Sequence, residues 1–367
     1  MTVLRFIEWF VIVAVITVIL QVVQIPLRTG GSALVYLLGF IIKAAVSVGI
    51  ALYCMAFCSK LIWNLGYLPA ALYAVLLCDA AADLIALVIR ILRGTEPGFQ
   101  AVMLVSILLT AGFVIYGTVN MQIIVPKEHV YTSDKLHDKH TFVFISDLHY
   151  SAAQSESAVD KALREIADLK PEFVLLGGDI TDDRSTAEEM REAYEKLGSL
   201  GVPVYYIYGN HDRQSHADYI RGAKYTPEEL EETIRSNGIT ILRDEIAVLS
   251  DDLVVLGRED ASRGDERCAV RDLPARPEGA YVVCVDHSPY QEEDILATGA
   301  DLQLSGHTHA GQFFPLQYVY RLSVNNIYGD YKVGSTDLYV SSGIAGWYFP
   351  FRTVAHCNYE VINLDPR

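Results

Sequence analysis

FVLLGGDITD, residues 173–182, is an apolar run that stops on two glycines and releases two aspartates. Its first half reads as a short buried strand, and the glycines as the turn that ends it. The same design recurs on either side, in TFVFISDLH at 141–149 and VYYIYGNHD at 204–212. It returns twice more, in YVVCVDHSP at 281–289 and LQLSGHTH at 302–309. Each time Asp, His or Asn follows directly on a strand. The C-terminal ends of strands line the ligand crevice of open α/β sheets, so five clusters far apart in sequence converge on one edge.

The segments between the first three strands carry helical periodicity. From about Ser157, the residues Val159, Leu163 and Ile166 recur at the spacing of one buried face. A second helix is expected from Ser185, with Ser185 and Glu188 as a capping box and Met190, Tyr194 and Leu197 facing the core. A third is announced by Thr226-Pro227-Glu228-Glu229 and stopped at Asn237-Gly238. After Gly238 strands dominate, near 240–243, 253–256, 281–285, 302–304, 338–341 and 358–364, which suggests a second sheet.

The first third of the chain is built differently. Residues 1–126 hold six Lys/Arg and four Asp/Glu, whereas the rest hold 23 and 41. The net charge of −16 is therefore +2 in the first part and −18 in the second. Four apolar stretches, Trp9–Pro26, Ala33–Cys58, Tyr67–Ile89 and Phe99–Val119, are each long enough to cross a bilayer. An all-α transmembrane region of four helices is expected over 1–126, a linker over 127–139 and an α/β domain over 140–367. The protein is thus expected to be a multi-pass integral protein of the cell membrane. The flanking Lys and Arg residues leave open which face carries the second domain. Within the spans, Lys43, Asp79 and Asp83 form either a paired cluster that fixes which helices adjoin, or an ion path or headgroup pocket. The acidic second part argues against a nucleic-acid partner. The six cysteines (Cys54, Cys58, Cys78, Cys268, Cys284 and Cys357) form no CxxC pair and require no disulfide.

Clusters of Asp, His and Asn without Cys disfavour a closed structural zinc site. They suit two divalent ions about 3.5–4 Å apart, which clamp phosphoryl oxygens and acidify a water held between them. The ordered series DLH (147–149), GDITD (178–182), GNHD (209–212), DHSP (286–289) and GHTH (306–309) resembles the calcineurin-like metallophosphoesterase family. The likeness runs from about Thr141 to the C-terminus. It implies a four-layer α-β-β-α sandwich and a binuclear site. Asp147, His149, Asp179 and His309 resemble the ligands of one metal, and Asp179, Asn210, His287 and His307 those of the other, with Asp179 bridging. His211 resembles the histidine that stabilises the transition state, with Asp212 orienting it and Asp182 supporting a ligand. Gly178, Gly209 and Gly306 are expected to supply tight turns at positive φ. The ions implied are Mn, Fe or Zn.

A membrane-associated branch of the family is the nearest likeness, and its terminal loop corresponds to LYVSSGIAGWYFPFR, 338–352. Arg352 there is a candidate for a substrate phosphate or for a structural ion pair. The chain departs from that branch at Ala345 and at Asn358-Tyr359. The expected activity is hydrolysis of a phosphate ester or pyrophosphate bond of a small-molecule or lipid-linked substrate. The alternative is an inactive phosphoesterase module that regulates or scaffolds the membrane region.

Overall fold

The computed structural model describes residues 3–28, 32–56, 60–220, 222–322 and 326–367. Cys58, the expected end of the second span, lies outside them. The chain divides into two compact units. One comprises Met1–Asn120 with the segments Phe313–Leu316 and Phe349–Thr353. The other comprises Met121–Gln312, Gln317–Tyr348 and Val354–Arg367.

The first unit contains α1 (Val3–Arg28), α2 (Ala33–Ala56), the short α3 (Lys60–Leu65), α4 (Leu68–Arg93) and α5 (Phe99–Met121). Apart from α3, these helices are long and apolar enough to cross a membrane, with candidate spans of 23 to 26 residues. Exposed apolar side chains such as Val11, Val15, Val18 and Val22 on α1 suit hydrocarbon rather than water. The intramembrane charges are gathered into one cluster. Arg28 donates to Asp79 at 3.0 Å and to Asp83 at 2.8 Å, and Lys43 bonds both carboxylates. Gln21 and Ser106 add hydrogen bonds to Asp79, so α1, α2, α4 and α5 share one neutral polar knot. Lys43 thus pairs with both aspartates, and Arg28, which the sequence places as a flanking charge, is the second cation. Two cations facing two carboxylates fit the paired-cluster reading.

The second unit is built on two six-stranded sheets. The first has the order β1-β12-β2-β3-β4-β5 and the second β10-β11-β9-β8-β7-β6. The strands are β1 (Ile124–Ser133), β2 (His140–Ile145), β3 (Val174–Leu176), β4 (Val204–Tyr206), β5 (Ile239–Ile241), β6 (Glu245–Val248), β7 (Leu253–Gly257), β8 (Tyr281–Val285), β9 (Leu302–Ser305), β10 (Gly329–Val333), β11 (Thr336–Val340) and β12 (Cys357–Pro366). Strands β2 to β5 run parallel, and so do β7, β8, β9 and β11.

The period-2 alternation of strands divides their side chains between two cores. Val143, Ile145, Val174 and Leu176 pack with the inner faces of α6 (Glu156–Leu169), α7 (Ala187–Gly198) and α8 (Pro227–Ser236). Phe142, Phe144, Phe173 and Leu175 point the other way, onto Leu253, Val255, Val283 and Leu302 of the second sheet. The outer face of that sheet is covered by α9 (Glu292–Thr298), whose Ile295 packs on Leu338 and Val340. The result is the α-β-β-α layering expected of the second part.

Three local expectations change. The second helix is capped by Thr186 with Glu189, one residue later than expected, while Ser185 accepts a hydrogen bond from the Asp182 amide at 2.9 Å. Residues 127–139, expected as a linker, carry β1 as far as Ser133, paired in parallel with β12. Pro126 and the charged Lys127-Glu128 disguise that strand, and its place at the sheet edge tolerates a residue with no amide donor. Short β6 and β10 are also strands that the sequence pattern leaves unmarked.

Candidate metal centre

The five polar clusters meet. Among the described residues, one group capable of holding a metal ion is Asp147, His149 and His309, and another is Asp179, His287 and His307. Asp179 relates the two groups. Its Oδ2 lies 3.1 Å from His287 Nε2 and 3.7 Å from His149 Nε2. In the first group His309 Nε2 is 3.3 Å from His149 Nε2 and 3.6 Å from Asp147 Oδ1. In the second, His307 Nδ1 is 2.9 Å from Asn210 Oδ1 and 3.3 Å from His287 Nε2. All seven candidate ligands are therefore in one cluster.

The backbone is bent to aim them. Asp147, His149, Asp179, His307 and His309 all have positive φ, between 39° and 71°. A non-glycine residue avoids this region unless its surroundings force it there, and such strain gathers at functional sites. Glycines let the loops close in. A Cβ on Gly209 would sit 2.2 Å from Asp179 Oδ1, and one on Gly306 would sit 2.2 Å from Asp147 Oδ2. Of the three glycines expected at positive φ, only Gly178 has it, at 86°; the other two are needed for close approach.

Ring nitrogens not turned toward the cluster are held from behind. His287 Nδ1 is 2.8 Å from the Gly177 carbonyl and His309 Nδ1 is 3.2 Å from the Ala345 carbonyl. A carbonyl only accepts, so both rings carry a proton on Nδ1 and turn Nε2 toward the cluster, to Asp179 and Asp147 respectively. His149 Nδ1 is 3.4 Å from Asp182 Oδ2, which puts Asp182 behind a candidate ligand as expected.

Asp147, Asp179, Asp182, Asp183 and Asp212 are at most 1% exposed. Buried carboxylates are costly unless paired. Burial pushes the Asp179 carboxyl up, but the His287 and His211 imidazoles outweigh it and hold Asp179 well below the carboxylate range. Burial alone would lower His287; beside Asp179 it is instead raised well above its ordinary value. Burial and the neighbouring His287 push His307 down to about 4. Oxygen and imidazole donors around concentrated buried negative charge fit divalent cations.

His211 is placed beside these groups, its backbone N–H donating to Asp179 Oδ1 at 2.8 Å. Its Nδ1 bonds Asp183, not Asp212. Burial lowers the His211 imidazole, but Asp183 and Asp179 prevail and keep it well above its ordinary value. Asp212 turns its carboxylate to the backbone instead, accepting from Asp179 N and Gly209 N at 2.8 Å each and from Thr181 N at 3.0 Å. The expectation that Asp212 orients His211 is thus corrected: Asp212 clamps two site loops together, and Asp183 holds the ring. His216 also approaches Asp183, its amide donating to Oδ1 at 2.8 Å. The GDITD pattern ends one residue before Asp183, and the doubled Asp182-Asp183 is its signal in the sequence. Arg352 is fully buried within the first unit, where its amide donates to the Gly117 carbonyl at 2.9 Å and Asn120 donates to its carbonyl at 3.1 Å.

A sequence model of the calcineurin-like phosphoesterases matches residues 140–311. An uncharacterized metallophosphoesterase of Helicobacter pylori is 27% identical over 252 residues, covering 64% of this chain and 62% of that protein. A transmembrane protein with metallophosphoesterase domain from Danio rerio is 26% identical, covering 71% of this chain and 61% of that protein. The phosphodiesterase YaeI of Escherichia coli is 28% identical, covering 46% of this chain and 60% of that protein. The chain spans about three fifths of the length of these relatives.

Proposed function

We propose, for a chain whose residues 140–311 carry a calcineurin-like phosphoesterase domain, that the cluster around Asp179 holds two divalent metal ions and hydrolyses a phosphate ester or pyrophosphate bond. The observation that carries this reading is the position of Asp179 Oδ2, within 3.7 Å of a nitrogen in each ligand group. Asp147, His149, Asp179 and His309 would hold one ion, and Asp179, Asn210, His287 and His307 the other. Mn, Fe and Zn all suit this donor set. Two such ions neutralise phosphoryl oxygens and make a bound water acidic.

The chain's own residues prepare the rest. His287 and His309 present Nε2 because Gly177 and Ala345 fix their tautomers. His211, kept protonated by Asp183, offers its Nε2–H to a phosphoryl or leaving-group oxygen. Asp212 and the strained loops keep these groups in register, so that little reorganisation is left to the reaction.

The substrate is a phosphorylated small molecule or a lipid-linked phosphate of the envelope. Four membrane-crossing helices support the second, because tethering raises effective concentration at the bilayer. A relative named a phosphodiesterase supports testing diesters beside monoesters. Retention of every candidate ligand together with His211 weighs against an inactive module. The detergent-solubilised protein with Mn²⁺ is expected to hydrolyse p-nitrophenyl phosphate or its bis-ester, and chelation or Asp179→Asn to abolish the activity. Unchanged turnover in Asp179→Asn would overturn the assignment.

A further inference from the structure

Strand β7 stops at Gly257, and residues 258–268 follow it within the second unit. Asp244 grips this segment at both ends. Its Oδ1 accepts from Glu259 N at 3.3 Å and lies 3.0 Å from Arg258 Nη1, and its Oδ2 accepts from Cys268 N at 2.7 Å. The Glu259 carboxylate is fully buried and meets Arg213 as a fork, Nη1 donating to Oε1 at 2.9 Å and Nη2 to Oε2 at 2.8 Å. The Arg213 guanidinium also lies 3.4 Å from the centre of the Tyr208 ring. Tyr208 and Arg213 flank Gly209-Asn210-His211-Asp212, so the fork closes that loop at its base.

The far end of the segment treats the DHSP loop in the same way. Arg267 Nη1 donates to Asp286 Oδ1 at 3.1 Å and Nη2 to Oδ2 at 2.6 Å, and Asp286 directly precedes the candidate ligand His287. Arg267 Nη1 donates as well to the Glu259 carbonyl at 2.7 Å, which joins the two forks into one brace. The loops so braced carry Asn210 and His287, and both of these stand beside His307, whose Nδ1 is 2.9 Å from Asn210 Oδ1 and 3.3 Å from His287 Nε2. Stability does not account for the forks. A buried ion pair roughly recovers what its desolvation costs, and apolar side chains of the same volume would hold the sheet as well. Two bidentate pairs add fixed geometry.

We propose that Glu259 and Arg267 are positioning residues for one of the two ions: through Arg213 and Asp286 they set Asn210 and His287 at the spacing that ion requires. The inference rests on the metal-centre reading above. Loosening either fork lets one loop drift from the other, so the ion of Asn210, His287 and His307 is bound less tightly. Asp147, His149 and His309 follow β2 and β9, whose loops carry neither fork, and the other ion keeps its affinity.

The test uses the full-length protein in detergent, comparing wild type, Glu259→Asp and Arg267→Lys, each of which keeps its charge and loses a fork. Mn²⁺ binding is titrated, and amide exchange over residues 209–213 and 286–288 is followed without metal. Each variant is expected to weaken one of two Mn²⁺ sites about tenfold and to leave the other unchanged. Glu259→Asp is expected to speed exchange over 209–213 and Arg267→Lys over 286–288, with β2 and β3 unchanged. Either variant carries the test alone should the other fail to accumulate. Wild-type affinities and exchange in the folded variants, or an equal loss at both sites, would overturn the inference and leave the metal centre standing. A wild type that binds fewer than two Mn²⁺ ions would overturn the metal-centre reading and the inference with it.

Discussion

At the scale of single residues, two aspartates with similar addresses do different work. Asp183 meets the His211 ring, while Asp212, the immediate neighbour of His211 in sequence, holds the backbone amides of Asp179, Thr181 and Gly209. The substitutions should separate accordingly. Asp183→Asn is expected to lower kcat by about 10²-fold with little change in KM, since it removes the charge that keeps a general acid protonated. Asp212→Asn replaces an acceptor oxygen with a donor facing those amides, so it should cost stability and metal together. Equal kcat losses with unchanged melting temperatures in both variants would contradict this division. Gly306→Ala forces a methyl group against Asp147 and is expected to lower metal content without unfolding the sheets. The seven candidate ligands were legible because each sits in a local strand-end pattern. Asp183 was not, because its role depends on where the His211 ring points, which no spacing records.

At the scale of elements, the strands aim the site and a few side chains lock their far ends. His140 opens β2 and bridges Glu172, in the loop before β3, at 2.8 Å and Asp252, before β7, at 3.1 Å. Burial lowers its imidazole, but the two carboxylates outweigh that and raise it above its ordinary value. A folded-state pKa above the unfolded one adds stability that is full below about 6.5 and is lost as pH rises through the folded value. The stability gap between wild type and His140→Gln, both saturated with metal, should therefore be larger at pH 5.5 than at pH 9. A gap independent of pH would contradict this role. Among the helices, the Arg28–Lys43–Asp79–Asp83 knot is neutral only when complete. Asp79→Leu leaves two cations facing one carboxylate and is expected to destabilise the folded protein by about 3–5 kcal/mol. Thermal unfolding in detergent reads it, and a shift no larger than that of an apolar surface variant would argue against a structural knot. Helices and buried strands were legible from periodicity and apolar runs. Strand β1 was not, because its proline and charges break the alternation at an edge where the sheet tolerates them.

At the scale of the whole molecule, the chain joins two chemistries that composition already separates: helices suited to hydrocarbon, and an acidic α/β domain that buries Asp147, Asp179, Asp182, Asp183 and Asp212 around the candidate metal cluster. Sequence could not assign Phe313–Leu316 and Phe349–Thr353 to the helical unit, because aromatic residues in a loop carry no mark of which core receives them. Asp179 stands between both ligand groups, its Oδ2 3.1 Å from His287 Nε2 and 3.7 Å from His149 Nε2. Calorimetric titration of the full-length protein with Mn²⁺ tests that claim most directly. Two ions per chain for wild type and no more than one tightly held ion for Asp179→Asn are the predicted result. A wild type that binds one ion or none, or an Asp179→Asn protein that still binds two with unchanged affinity, would contradict it.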